Sequence, residues 1–313
     1  MRVVFLGSPQ FAVPSLLALL EAGHEVAGVV TQPDKPGGRS GRLSATPVKE
    51  TALSLGLPLI QPPKVNQAEA IAAIRAWQPE VLAVTAFGQI LREELLTLAP
   101  KGAVNVHGSL LPAYRGAAPI HWAVMRGESV TGITTMYMDK GMDTGNMIFR
   151  RELPILPDDD CGSLHEKLAV VGAELLVQTL EAIALGRAPS IPQDNALATY
   201  APLLKKEHEI IDWQTDALAV HNHIRGMSPW PGAYTVIGGK RLKLWQSKAW
   251  LLEQAAGLPG EVLSRPDGVF VQCASGLLEL LQVQPEAGKK MSAADWARGS
   301  GVKPGVILGR TPA

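Results

Sequence analysis

Hydrophobic positions in the first half of the chain come in two alternating textures. Short apolar runs at Arg2–Leu6, Glu25–Val30, Val81–Ala86 and Ala103–His107 have the unbroken character of strands buried on both faces. Between them, Phe11–Glu21, Thr46–Leu55, Asn66–Trp77 and Leu91–Leu98 carry apolar residues at helical spacing, with one further short run at Leu57–Ile60. Strand–helix alternation of this kind predicts a mostly parallel, doubly wound α/β sheet. Gly132–Met138 and Met147–Leu153 bracket the turn-rich Asp139–Gly145 and predict two added strands, and Ser163–Leu185 predicts a long amphipathic helix.

The texture changes near Arg187–Pro202, which is rich in Pro, Asn, Gln and Thr. Beyond a short helix at Asp216–Arg225, the turn pairs Gly238-Gly239, Asp267-Gly268 and Ser275-Gly276 separate short strands, which predicts a small barrel or sandwich. We therefore expect an α/β domain over residues 1–188, a linker over 189–205 and a β domain over 206–313. A length of 313 residues with 46% hydrophobic content suffices for two cores, and 19% charged residues argue against disorder.

A net charge of zero argues against a general nucleic-acid coat. Locally, however, Asp34–Lys49 sets Lys35, Arg39, Arg42 and Lys49 against Asp34 alone, and from Lys205 onward 13 Lys and Arg face 10 Asp and Glu. Cys161 and Cys273 are isolated and lack metal-ligand spacing, which fits a reduced, intracellular protein. The opening MRVVFLGS is too short for a signal peptide, and no stretch approaches the ~20 apolar residues of a spanning helix, so a cytoplasmic location is expected.

The candidate chemistry lies where the strand Ala103–His107 ends. Residues i and i+2 of a strand share a face, so Asn105 and His107 project together from the C-terminal end of a doubly wound strand, where ligands bind in such folds. An amide donor beside an imidazole can hold a developing oxyanion, and the imidazole can move a proton. Both side chains could equally satisfy backbone groups at a strand end. Asp143, in Gly-Met-Asp-Thr-Gly, could set the charge of the histidine or simply form a turn. Ser109 has no nucleophile elbow around it, and Gly7-Ser8-Pro9 is no dinucleotide fingerprint. His221 and His223 are expected to be surface histidines, Asp158–Asp160 a solvated helix start, and Pro229-Trp230-Pro231-Gly232 a packed corner rather than a stacking platform.

Together these residues resemble the folate-dependent formyltransferases. The matching motifs are Asn105-x-His107, Ser109-Leu110-Leu111-Pro112, Arg115-Gly116-Ala117-Ala118-Pro119-Ile120 and Asp143-Thr144-Gly145. Thr31-Gln32-Pro33-Asp34-Lys35-Pro36, Ile211-Asp212-Trp213, Pro229-Trp230-Pro231 and Gly288-Lys289-Lys290-Met291 extend the likeness along the chain, toward the members acting on methionyl-tRNA. The resemblance implies a Rossmann-like catalytic domain followed by an OB-like barrel that binds tRNA. It implies transfer of the formyl group of 10-formyltetrahydrofolate, a consumed co-substrate, to the α-amine of methionyl initiator tRNA, without a metal. Asn105, His107 and Asp143 would be catalytic. Ser109, Leu110, Leu111 and Pro112, with Phe87, Gly88, Gln89, Ile90 and Leu91, would contact folate. Lys35, Arg39 and Arg42 would follow the tRNA, and a monomer is expected. The competing expectations are a formyltransferase for a small amine (an amino sugar or glycinamide nucleotide), a formyltetrahydrofolate hydrolase, and a non-catalytic nucleotide- or RNA-binding module.

Overall fold

Apolar runs bounded by Gly, Pro and Asp become strands, and the amphipathic stretches between them become helices. The computed structural model describes the chain except residues 38–41, 252–256, 266–267, 301 and 310–313; Arg42, Ser264 and Arg265 are described by backbone alone. Strands β1 (Arg2–Gly7) and β2 (Glu25–Val30) flank helix α1 (Val13–Glu21). A short hairpin of β3 (Lys35–Gly37) and β4 (Arg42–Ser44) leads into α2 (Pro47–Ser54), whose first turn is capped by the Thr46 hydroxyl accepting from Lys49 N. Then come β5 (Leu59–Ile60), α3 (Ala68–Ala76), β6 (Val81–Thr85), α4 (Glu93–Leu96) and β7 (Ala103–His107). Helix α5 (Pro119–Met125), strands β8 (Val130–Tyr137) and β9 (Met147–Pro154), and α6 (Cys161–Ala184) complete this part.

The seven-stranded sheet runs β5-β2-β1-β6-β7-β8-β9. The first five strands pair in parallel, and β8 and β9 are added antiparallel beyond β7. The winding therefore reverses between β1 and β6, the arrangement that opens a crevice at the strands' C-terminal edge. Side-chain alternation decides what reaches that edge. On β7, Val106 faces α6, where a Cβ on Gly172 would come within 2.9 Å of its methyl group. Asn105 and His107, of opposite parity, point to the other face. The Thr135 and Thr179 hydroxyls meet at 2.8 Å and tie α6 to β8.

Packing divides the chain into two compact units. The first comprises Met1–Pro119, Val130–Pro154 and His165–Ala201, and the second Ile120–Ser129, Ile155–Leu164 and Pro202–Ala313. The stretch expected to link two domains thus splits: through Ala201 it packs with the first unit, and from Pro202 with the second. Helix α4 is one turn long where an eight-residue helix was expected, because Leu91 is buried ahead of it and Asn66 Oδ1 holds Arg92 N instead.

In the second unit, α7 (Ala217–Gly226) is capped by Asp216, whose carboxylate accepts from Ala219 N. Strands β10 (Tyr234–Ile237), β11 (Lys240–Trp250), β12 (Val262–Arg265), β13 (Gly268–Gln272), β14 (Leu277–Pro285) and β15 (Met291–Ser292) precede α8 (Ala293–Ser300). They form an antiparallel, half-barrel sheet in the order β10-β11-β14-β13-β12, with β15 on β14. The open ends of this curved sheet are spanned by the C-terminal segment. Val262 N donates to Val306 O, Leu308 N to Gly260 O, and Gly309 N to Val236 O on β10, all at 2.8 Å. Ile211, Trp213, Val220, Ile224, Leu244, Val271, Leu278 and Trp296 fill the interior.

Three expectations for this unit are corrected. Asp159 is buried, its carboxylate accepting from Leu156 N and the Ser163 hydroxyl, because it folds the turn leading into α6 rather than facing water. Trp230 is 45% exposed, set edge-on to His121. His221 and His223 are not surface groups: their rings are half-buried, one against the Ser247 hydroxyl and the other donating to His208 O at 2.7 Å. Burial lowers the pKa of both below the ordinary 6.5. The unfolded chain therefore takes up these protons at a higher pH than the folded one. Their contribution to stability is present above about pH 6.5 and is lost as pH falls below it. The thermal unfolding midpoint should drop between about pH 7 and about pH 5. His223→Gln should flatten that drop; an unchanged acid dependence in the variant would exclude His223 as its source.

Candidate active site

The end of β7 carries a buried imidazole between two oxygens. His107 is only 5% exposed, and its Nε2 lies 3.0 Å from Tyr114 O. A carbonyl can only accept, so Nε2 carries the proton in that bond. Nδ1 faces Asp143 Oδ1 at 3.7 Å, beyond a direct hydrogen bond but within ion-pair range. A ring protonated on both nitrogens would thus point each N–H at an oxygen. Asn105 lies two residues earlier on the same face and is partly exposed. The three candidate catalytic residues therefore come from the β7 end and the β8–β9 turn.

That turn is heavily determined. Asp139 Oδ1 accepts from Gly141 N and the Thr144 hydroxyl, and a Cβ on Gly145 would lie 1.7 Å from Tyr137 O. Asp143 adopts a left-handed φ of 56°, and its Oδ2 accepts from Gly116 N at 2.8 Å. Across from it, the Tyr114–Ala118 segment is strapped by residues that sequence reading assigned to a linker. Arg115 N donates to Thr199 O, Ala201 N to Arg115 O, and Tyr114 N to the Thr199 hydroxyl. Gln193 Nε2 donates to both Asp143 O and Gly145 O. Gln193, Asn195 and Thr199 carry no motif that would have singled them out.

Two loops expected to contact folate rise from neighbouring strands. Thr134, on β8 opposite His107, donates its hydroxyl to Ser109 O and accepts from Leu111 N, fixing the Ser109–Pro112 turn. The Ser109 hydroxyl donates to Ala113 O, and the Leu111 side chain is fully buried against Met136 and Met147. Leu110 instead lines a groove of about 410 Å³ along β9, with Met147–Arg150, Glu152 and Ile191. After β6, Phe87 O accepts from the Ser8 hydroxyl and Gln32 Nε2, while Gln89 spends its amide on Val65 N and Pro62 O. Gly88 has φ 81° and Leu91 is buried, whereas Ile90 is 77% exposed. Backbone and Ile90 are what this loop offers a ligand.

Of the candidate tRNA-contacting cations, Arg39 lies outside the described residues and Arg42 is described by backbone only; Lys35 is exposed on β3. The base of that hairpin is fastened, with Asp34 bound by Gln61 and by Lys49 at 2.6 Å, contacts that lower its pKa. In the second unit, sequence reading missed a row of cations on aromatic rings: Lys290 and Lys243 over Trp245, Lys248 over Trp250, and Arg241 over Tyr234. Among the described residues, no group of three or more His, Cys, Asp or Glu could hold a metal ion, and no helix is long and apolar enough to cross a membrane.

Residues 1–180 match the family described as Formyl transferase, and residues 203–301 match Formyl transferase, C-terminal domain. A methionyl-tRNA formyltransferase of Moorella thermoacetica is 51% identical over 311 residues, covering 99% of each chain. One from Desulforamulus reducens is 47% identical, covering 99% of this chain and 98% of its own. A Helicobacter canadensis N-formyltransferase, solved with folinic acid and dTDP-3-aminofucose, shares the fold at TM-score 0.66 and 18% identity, covering 93% of this chain and 100% of its own.

Gly116 tests the strap. Its φ of 121° suits glycine, and a Cβ there would meet Ala201 O at 2.6 Å. Gly116→Ala should destabilise the first unit by about 1–3 kcal/mol. The readout is the urea unfolding midpoint, and an unchanged midpoint would show that the strap tolerates separation from this loop.

Proposed function

The chain belongs to the formyl transferase family, and on that premise we propose that it transfers the formyl group of 10-formyltetrahydrofolate to the free α-amine of methionyl-tRNA, the initiator species used in translation initiation. Folate is a co-substrate consumed in each turnover. The reading places the enzyme in the cytoplasm as a monomer, with residues 1–188 catalytic and 206–313 serving the tRNA.

The observation that supports the chemistry most is the His107 ring bracketed by Tyr114 O and Asp143. When the amine attacks the formyl carbon, negative charge grows on the formyl oxygen. Asn105 donates its amide to that oxygen, and protonated His107 balances the charge at close range. Asp143 keeps the imidazolium oriented. The attacking nitrogen loses a proton and the departing folate nitrogen gains one as the old carbon–nitrogen bond breaks, and His107 with Asp143 moves that proton through water. The turn Ser109–Pro112 and the loop Phe87–Leu91 hold the folate, Ile90 offering apolar cover. Lys35, Arg39 and Arg42 follow tRNA phosphates, joined by the cation–aromatic row of the second unit.

A formyl-transfer assay decides among acceptors. Methionyl-tRNA should be formylated far faster than an amino sugar nucleotide or glycinamide nucleotide, and faster than water releases formate. Preference for a small amine would overturn the substrate assignment. His107→Ala and Asp143→Ala should each lower turnover on the order of 10²–10³-fold with folate binding retained; near-normal turnover in His107→Ala would remove the oxyanion mechanism. Ile90→Asp should raise the folate KM and leave that for methionyl-tRNA unchanged. Arg39→Ala removes one cation from the phosphates and should flatten the log–log salt dependence of tRNA binding by roughly one unit. Superimposable curves would take Arg39 off the tRNA.

A further inference from the structure

We infer that Gln193 is a positioning residue for the reaction, aiming the Asp143 carboxylate at His107 through the backbone that carries it, with Arg115 locking the orientation of the Gln193 amide. The inference rests on the catalytic reading of Asp143.

Asp143 sits in a backbone conformation that L-residues avoid, at a φ of 56°. Such a geometry costs on the order of 1–3 kcal/mol and persists only where the surroundings over-determine it. A single side chain meets both carbonyls that the turn directs to one side. Gln193 Nε2 donates to Asp143 O and to Gly145 O, each at 2.8 Å, using both of its hydrogens. The carboxylate of Asp143 leaves on the other side, one oxygen on Gly116 N and the other facing His107 Nδ1.

The amide cannot turn over. Its Oε1 accepts from Arg115 Nε at 3.0 Å and Nη2 at 2.8 Å. Flipping it would set NH₂ against a guanidinium that only donates, and oxygen against two carbonyls that only accept. Arg115 is 2% exposed, and among the described residues its guanidinium donates to the neutral oxygens of Gln193 and Asn195 rather than to a carboxylate. A buried cation on the amide oxygen polarises the amide and strengthens its N–H donors. Arg115 also belongs to the loop that supplies Tyr114 O to His107 and Gly116 N to Asp143. One amide therefore couples the loop behind one nitrogen of the imidazole to the turn behind the other. Its removal leaves each residue in contact with substrate unaltered and changes only the distance and angle between Asp143 and His107.

Gln193→Glu keeps the size of the side chain and its contact with Arg115, but loses both donors and sets negative charge against two carbonyls. A misplacement of about 1 Å at a catalytic group costs up to about 10²-fold. The expected result is a kcat lowered roughly 10- to 100-fold, with the folate KM unchanged. In an Asp143→Ala background the same substitution should add less than about a twofold loss, because residues that act as a unit are non-additive. Gln193→Ala, measured alongside with the folded fraction from circular dichroism, should show the same pattern. Losses that multiply across the two sites, an unchanged kcat, or a kcat that falls only in step with folded protein would overturn the proposal. If Asp143→Ala itself keeps normal turnover, the catalytic reading fails and takes this inference with it, whereas multiplicative losses remove the inference alone.

Discussion

The chemistry proposed for the end of β7 depends on two oxygens being held against one ring. Tyr114 and Asp143 supply them, and both residues are left-handed, with φ of 60° and 56°. Both conformations are costly in an L-residue and persist where neighbouring groups hold them. Part of that hold comes from within the Asp139–Gly145 turn, and part from the strap around Gln193–Ala201, which pairs with Arg115 through backbone and with Asp143 through a side chain. Met147 and Ile191 exchange two backbone hydrogen bonds at 2.8 and 2.9 Å and anchor the near end of that strap to β9. The ring is buried and accordingly relies on these partners more than an exposed histidine would.

The sheet contributes a fixed edge from which the loops hang. Ser8 at the end of β1 and Gln32 after β2 both donate to Phe87 O after β6, so three adjacent strand ends share one carbonyl. Thr134 does the same service one strand beyond His107, satisfying the two backbone groups that the Ser109–Pro112 turn would otherwise leave buried without partners. Small residues with hydroxyls or amides, placed at strand ends, thereby shape the candidate folate-contacting turns through their backbone.

What could be read from the chain follows from how local the signal is. Buried parallel strands are continuous apolar runs, and β1, β2, β6 and β7 were visible for that reason. Asn105 and His107 were visible because a period of two puts a polar pair on one face of an otherwise apolar strand. Asp143 needed the family resemblance, since an Asp between Met142 and Thr144 looks like any turn. Gln193, Asn195 and Thr199 were invisible, because their partners lie 78, 80 and 85 residues away and leave no periodic mark. The same holds for the C-terminal residues that close the half-barrel: Ile307 pairs with Glu261 across a gap that no turn signal announces. His221 and His223 looked like surface groups because their burial is made by Ser247 and His208, both remote in sequence.

The place of the strap, after the last strand of the sheet along the chain, bears on the order in which the protein assembles. The contacts of Arg115 with Gln193 and Asn195 span 78 and 80 residues, no farther than the 78 between Val3 and Val81 in the β1–β6 pairing, but they need residues beyond Pro154, where the last strand of the sheet ends. Domains form as the chain emerges from its N-terminal end, so the strap is added to structure already in place. During synthesis, the sheet with its apolar core can therefore exist while Tyr114 still lacks Thr199 and Asp143 still lacks Gln193. On the proposed mechanism such a nascent chain would look native by its strands yet be inert, competence arriving as the last stretch of the first unit threads home.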